Sequence, residues 1–142
     1  MSRGGLRVIL DTSFLLPFLG IRTDEPVMEA LPRLRGHELY YSELSVLEAL
    51  WKIVKVVSPD GVEVVLRGLS EVRGHMRRAE VDEGAVKAAL ELYRLGHRDL
   101  IDDLLYGTAL SHGFKLLTID RTLTDFVRGK GYPDVFIGPD EL

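Results

Sequence analysis

The sequence predicts an α/β fold whose mostly parallel central sheet is covered by helices on both faces, and three observations carry that prediction. Short apolar runs alternate with longer helix-patterned stretches along the whole chain, the order that a parallel sheet with crossover helices requires. The first of those runs, like the last, is almost unbroken in its apolar character, as strands buried on both faces are. The length of 142 residues, with 46% apolar and 28% charged side chains, fits one globular domain over residues 1–142 and is too hydrophobic for a disordered chain.

The elements follow in order. Arg7 to Leu10 is a buried strand that ends at Asp11. Thr12 or Ser13 caps a helix over Phe14 to Leu19, which Gly20 ends. Glu25 to Leu34 is helical, with Pro26 tolerated in the first turn and Pro32 limiting its length. Glu38 to Tyr41 is the second strand, and Ser42 opens a strongly apolar helix running to about Val57. Ser58-Pro59-Asp60-Gly61 is a turn before a helix from Val62 to Val72. Ala79 to Val81 reads as a third strand, with Asp82 capping a helix from Glu83 to Leu95. Beyond Gly96, Asp99 caps a helix from Leu100 to His112, which Gly113 ends. Lys115 to Ile119 is a strand leading into Asp120, followed by a short helix from Leu123 to Arg128, Gly131, and a last strand from Val135 to Ile137. No internal repeat or low-complexity segment interrupts the alternation.

Composition removes several classes of chemistry. No apolar run approaches the roughly 18 residues of a membrane span. The stretch from Met1 to Arg7 is basic, but Asp11 breaks the apolar run behind it and no small-residue cleavage site follows, so no signal peptide is expected. A soluble, cytoplasmic chain with no membrane partner is the expectation. Cysteine is absent, which excludes disulfides, thiolate catalysis and cysteine-based metal sites. Asn and Gln are absent as well, a pattern that matches the avoidance of thermolabile side chains in thermophiles. The four histidines, His37, His75, His97 and His112, show no HxxxH or HxH spacing, so a histidine metal site is not expected.

The chemistry must therefore come chiefly from acids. Asp11 and Asp120 each follow an apolar strand, and ligands of open parallel sheets bind beyond the strands' carboxyl ends. Either residue singly also reads as a helix cap or turn residue; the pair together favours a site. Glu48 lies in a helix that is apolar on nearly every side, where an unpaired carboxylate is costly to bury. A surface pair with Lys52 one turn on is the simpler reading, worth only about 0.3–0.5 kcal/mol; a neutralising metal ion is the other. Asp102, in the first turn of its helix, is favoured there by the macrodipole, yet it shares a face with Leu105, Tyr106 and Ala109, which makes it inward-facing. Asp103, about 100° further round, is expected beside the site or facing solvent. Four carboxylates without histidine or cysteine select a hard cation, Mg2+ or Mn2+, over Zn2+, and such a site suits phosphoryl chemistry.

The same residues resemble a known family. Leu10-Asp11-Thr12-Ser13-Phe14-Leu15-Leu16 is similar to the opening of PIN-domain nucleases, in particular the VapC-like toxin ribonuclease branch. Ser42-Glu43-Leu44-Ser45-Val46-Leu47-Glu48 resembles the family's Ser…Glu helix, and Asp102 to Leu110 its Asp-x-x-x-x-x-Thr-Ala run. Leu117-Thr118-Ile119-Asp120 matches its Leu-x-Thr-x-Asp strand end. The four blocks stand in family order and the resemblance covers about Leu6 to Ile137. It implies a three-layer α/β/α sandwich and a metal-dependent ribonuclease acting on single-stranded RNA. Asp11, Glu48, Asp102 and Asp120 would be both catalytic and metal-binding, holding Mg2+ or Mn2+ with Thr12, Ser13 and Thr118 in support. It also implies a homodimer, and for toxin members a small antitoxin protein as partner. Two departures stand out: Arg121-Thr122-Leu123-Thr124 precedes Asp125-Phe126, which makes Asp125 a candidate auxiliary acid, and apolar Ile119 sits between Thr118 and Asp120.

The charge balance is −4, from 18 basic and 22 acidic residues. With four acids on divalent ions the remainder is near neutral, and 13 of the basic residues are Arg, which suits phosphate contact. Arg73, Arg77 and Arg78, or Arg94 with Arg98, would make a basic patch or simply solvated helix faces. Two rival functions remain: a catalytically idle PIN-like interaction module, and a phospho-accepting signalling domain. The second wants paired acids after the first strand and a lysine after a late one, where this chain has Asp11 alone and Thr118 with Asp120. A phosphatase with Asp-x-Asp after the first strand fails because residue 13 is Ser.

Overall fold

The computed structural model describes residues 5–142; of the basic stretch at the start of the sequence, residues 1–4 lie outside it. Among the described residues five strands form one sheet: β1 Arg7–Leu10, β2 Glu38–Tyr41, β3 Arg77–Arg78, β4 Lys115–Leu117 and β5 Phe136–Ile137. All pairings are parallel and the spatial order is β3-β2-β1-β4-β5. The chain therefore lays down β1, β2 and β3 in one direction, then returns to place β4 and β5 on the other side of β1. The reversal falls between β1 and β4, and a parallel sheet opens its ligand crevice at such a switch point.

The helices are α1 Thr12–Leu15, α2 Glu25–Ala30, α3 Glu43–Ile53, α4 Gly61–His75, α5 Glu83–Leu95, α6 Leu100–His112 and α7 Arg121–Gly129. Neighbouring strand residues point to opposite faces, and the core divides accordingly. Val8, Leu10, Tyr41, Leu117 and Ile137 pack against Phe14 and Leu15 of α1, Val27 of α2, Val46 of α3 and Val72 of α4. Ile9, Tyr40, Leu116 and Phe136 pack against Leu92 of α5, Leu105, Tyr106 and Ala109 of α6, and Leu123 and Val127 of α7. The three-layer α/β/α arrangement follows from this alternation, as the sequence predicts. No helix among the described residues is long and apolar enough to cross a membrane.

Several boundaries differ from the sequence reading, each for a local reason. Asp11, not Thr12 or Ser13, caps the first helix, because its side chain accepts the Thr12 N–H. The segment expected as one helix over Glu25 to Leu34 is α-helical only to Ala30 and continues as a 3₁₀ turn through Gly36, since Pro32 has no N–H to bond back along the helix. The apolar helix α3 stops at Ile53 rather than Val57. The third strand is Arg77–Arg78, not Ala79 to Val81; only Ala79 of that run joins the ladder, donating its N–H to Tyr41 O at 2.8 Å. An edge strand is solvated along one side, so it escapes a search for apolar runs. β4 ends at Leu117, two residues early, because Thr118 turns its side chain onto Asp11.

Helices α5 and α6 approach closely at Gly107, where an added Cβ would stand 2.3 Å from Ala85 O. Gly107→Ala should therefore destabilise the protein by about 1–3 kcal/mol, although alanine is the better helix former. Gly74→Ala in α4, where a Cβ meets nothing within 4 Å, should instead be neutral or stabilise by up to about 1 kcal/mol. Urea unfolding of both variants checks this, and a Gly107→Ala protein as stable as wild type would contradict the packing described.

Candidate active site

The two central strands bring the first and last acidic blocks together. The Asp11 N–H continues the β1–β4 ladder to Leu117 O at 3.0 Å. Its Oδ1 accepts the Thr12 N–H at 2.7 Å and its Oδ2 accepts the Thr118 hydroxyl at 2.7 Å. The same hydroxyl oxygen accepts the Asp120 N–H at 3.0 Å, and Asp120 Oδ1 caps α7 by accepting the Leu123 N–H at 3.2 Å. From the other helical layer, Asp99 caps α6 by accepting the Asp102 N–H at 3.1 Å, which sets Asp102 buried in the first turn. Ser42 caps α3 through the Leu44 N–H at 3.1 Å, and Glu48 lies a turn and a half along that helix, half-buried.

Asp11, Glu48, Asp102 and Asp120 all line one pocket of about 350 Å3, together with Thr12, Ser13, Lys52, Asp99 and Ile119. The four acids singled out from the sequence thus meet, with Thr12 and Ser13 beside them and Thr118 bonded to Asp11. Asp125 does not join them: it is exposed on α7 and does not line the pocket, so its expected auxiliary place is not where the fold puts it. Glu48 is less enclosed than its apolar neighbours suggest, because Leu47, Leu50 and Trp51 of α3, and Val54 just beyond its end, are themselves exposed. The simpler pairing also fails, since Glu48 and Lys52 form no ion pair among those of the described residues.

Crowding and burial set the protonation of the pocket. Burial raises the Asp11 carboxyl from 3.8 to about 6, against the pull of the Thr118 and Thr12 bonds and helped by Glu48 and Asp120. Asp102 is pushed further, to about 9, by burial first and then by the charge of Asp11 and a hydrogen bond shared with Asp120. At neutral pH Asp102 therefore keeps a proton, which is how like charges tolerate proximity. No group of three or more His, Asp or Glu side chains among the described residues is arranged to hold a metal ion. The donor set nonetheless fits a hard cation: carboxylates converge with hydroxyls, a proton on Asp102 stands where positive charge is wanted, and Thr12 Oγ1 is buried with no partner.

Two features were missed in the sequence. Asp99 lines the pocket as a fifth acid; as a helix cap it carried no further signal. Asp103 is fully buried, 0% exposed, which removes the solvent-facing alternative, and it does not line the pocket. Its Oδ1 lies 2.5 Å from His97 Nδ1, and the His97 ring rests against Phe126 at 5.3 Å between centroids. The pair ties the loop between α5 and α6 to the first turn of α6. Nothing in the spacing of six residues announced it.

Fold and pocket together define a three-layer α/β/α domain with a carboxylate-lined crevice at its switch point. The chain belongs to the PIN-domain family, whose model matches residues 8–128. No curated protein sequence matches it. Among solved structures it is similar to a toxin–antitoxin complex from Klebsiella pneumoniae (TM-score 0.65, 16% identity, 95% of this chain and 99% of that one). It is similar too to VapC20 of Mycobacterium tuberculosis, described as a sarcin-ricin loop cleaving toxin (TM-score 0.61, 17% identity, 90% and 98% covered), and to PAE2754 of Pyrobaculum aerophilum (TM-score 0.59, 23% identity, 92% and 90% covered). At these identities the likeness is one of fold.

The raised Asp11 value has a definite sign. A carboxyl whose folded pKa lies above its unfolded one contributes stability below about pH 4, and that contribution is lost as pH rises through about 6. In EDTA, the stability of wild type relative to Asp11→Asn should therefore fall by about 2 kcal/mol between pH 4 and 7. Urea unfolding of both proteins at four pH values measures the difference; a difference that does not change with pH contradicts the burial of this acid.

Proposed function

We propose that residues 1–142 act as a single PIN-type nuclease domain that hydrolyses phosphodiester bonds of single-stranded RNA with Mg2+ or Mn2+. The observation that supports this most directly is the convergence of Asp11, Glu48, Asp102 and Asp120, from four separate stretches of sequence, on one pocket at the switch point of the sheet. These four would hold the cation. When bound, it supplies Lewis-acid polarisation of a phosphate oxygen and a water acidic enough to attack in line. Asp102 would release its proton as the cation arrives, Thr118 would keep Asp11 oriented, and Asp120 would stay fixed by its bond to α7.

The toxin role, with an antitoxin as partner and the cytoplasm as its place of action, is supported by family membership and by the named functions of the structural neighbours. A homodimer is supported by Leu47, Leu50 and Trp51 of α3 and its C-cap Val54, which form an exposed apolar stripe with Trp51 62% exposed. Beside it an apolar groove runs between α3 and α4, lined by Leu50, Val54, Val62 and Leu66. Burial within one subunit does not account for this face. The idle-module reading is favoured by one observation, that the acids do not already stand in a metal-holding arrangement. The phospho-accepting reading has no such support, because β4 is followed by Thr118 and Asp120 rather than a lysine.

Labelled single-stranded RNA should be cut in Mg2+ or Mn2+ and left intact in EDTA. Asp11→Asn, Glu48→Gln, Asp102→Asn and Asp120→Asn should each lose on the order of 100-fold or more, beyond the 10–100-fold typical of residues that only support a metal ligand. Equal cleavage by wild type and Asp11→Asn would sink the nuclease reading; a folded wild type that never cuts favours the idle module. Trp51→Glu should shift the mass in solution from dimer to monomer by sedimentation, and a wild-type monomer at micromolar concentration would remove the dimer.

A further inference from the structure

A polyanionic strand must reach a pocket lined by five acids, so the cations beside that pocket matter more than the net charge. The basic patches raised by the sequence do not line it. Arg73 bonds Glu43 at 2.8 Å, Arg77 lies 3.7 Å from Glu38, and Arg98 stacks over Tyr93. Lys52 does line it, one turn beyond Glu48 on α3, and makes no ion pair among those of the described residues.

A second cleft of about 370 Å3 adjoins the first, and Ile119 lines both. One of its walls is a single face of α7, Arg121, Thr124 and Arg128, spaced three and four residues apart; the other includes Phe136 and Pro139. Arg128 is committed to Asp134, with Nε 2.8 Å from Oδ2. Arg121 is exposed and has no carboxylate partner among the ion pairs of the described residues. A cleft of this volume lies at the lower end of ligand sites, roughly 300–1,000 Å3, with room for a nucleotide unit and not for a duplex. Its walls are mixed: Phe136, Ile137 and Pro139 offer apolar surface to a ribose, Glu141 adds an acceptor for sugar hydroxyls, and the Arg121 guanidinium suits the attached phosphate.

Building on the ribonuclease reading, we propose that one RNA strand lies along both clefts. Its scissile phosphate sits over the acids, the nucleotide on one side occupies the α7 cleft with its phosphate on Arg121, and the phosphate on the other side meets Lys52. Ile119 is the ridge the strand crosses, which gives a role to the residue that departs from the family pattern. The contacts are to backbone and sugar, so the path selects single strands and not a sequence.

Fluorescence anisotropy with a labelled ten-nucleotide oligouridylate, in the Asp11→Asn background, reads the path without requiring cleavage. Adding Arg121→Ala or Lys52→Ala should weaken binding about five- to tenfold at low salt and reduce the slope of log affinity against log salt by about 0.7 each. Arg121→Lys should keep the slope, and Arg67→Ala on α4 should change neither quantity. With Asp11 restored, Arg121→Ala should raise KM several-fold with kcat nearly unchanged, and its melting temperature should match wild type. Unchanged affinity and slope in both alanine variants, an equal effect from Arg67→Ala, or no binding by the Asp11→Asn protein at low salt each overturn the path. If wild type fails to cut RNA while the Arg121 and Lys52 effects persist, the nuclease reading falls and the binding path stands.

Discussion

The hydrogen bond from the Thr118 hydroxyl to Asp11 Oδ2 joins residues 107 positions apart, and the pocket is built around it. β1 and β4 are neighbours only because the chain reverses its strand order at that point. The bond ties their two ends where the ladder stops, and Thr118 passes the constraint on by accepting the Asp120 N–H. One hydroxyl therefore fixes two acids in different loops. It also favours the charged form of Asp11 in a place where burial opposes it. Without that bond the first acid would hold its proton more tightly and the start of α7 would lose a fixed point.

Much of this was legible in the sequence because the relevant signals are local. β1 reads directly from its unbroken apolar run, α5 and α6 from their caps, and the switch-point acids from their place behind strands. The errors have a common cause: they lie where an interaction distant in sequence overrides the local pattern. β4 shortens because Thr118 is drawn to Asp11, and the edge strand β3 forms from two arginines because Tyr41 and its neighbour offer unpaired backbone. The sequence leaves Asp103 between a place beside the site and one facing solvent, because its partner, His97, comes from the preceding loop and leaves no periodic trace. The sequence makes Glu48 look too enclosed because an apolar pattern on nearly every side implies burial all round, whereas α3 shows one of its apolar stripes to solvent.

That exposed stripe and the acid pocket share a helix. Glu48 and Lys52 face the pocket while Leu47, Leu50, Trp51 and Val54 face outward. A partner seated on the stripe would hold α3 along the side opposite its packed residues Val46, Ala49 and Ile53. Anything that shifts α3 by part of a turn would move Glu48 and Lys52 together, the acid and the cation of that wall.

The choice between a capping acid and a site acid, which looks like a dilemma in the sequence, dissolves in the structure because a carboxylate has two oxygens and several lone pairs. Asp120 and Asp99 each spend Oδ1 on a helix N-terminus and keep the second oxygen for the pocket. Asp11 uses both oxygens but only one lone pair on each. The caps bring partial positive charge from the helix ends toward the acids, which eases their mutual repulsion without neutralising it. Asp102 lies inside the first turn of α6 and is not a cap, so both its oxygens are left to its acidic neighbours, and it is the acid whose proton is held most tightly. Capping therefore does more than end helices here. It orients three acids and leaves each with lone pairs to spare, while Glu48 and Asp102 cap nothing and buried Asp102 carries the strongest need for positive charge.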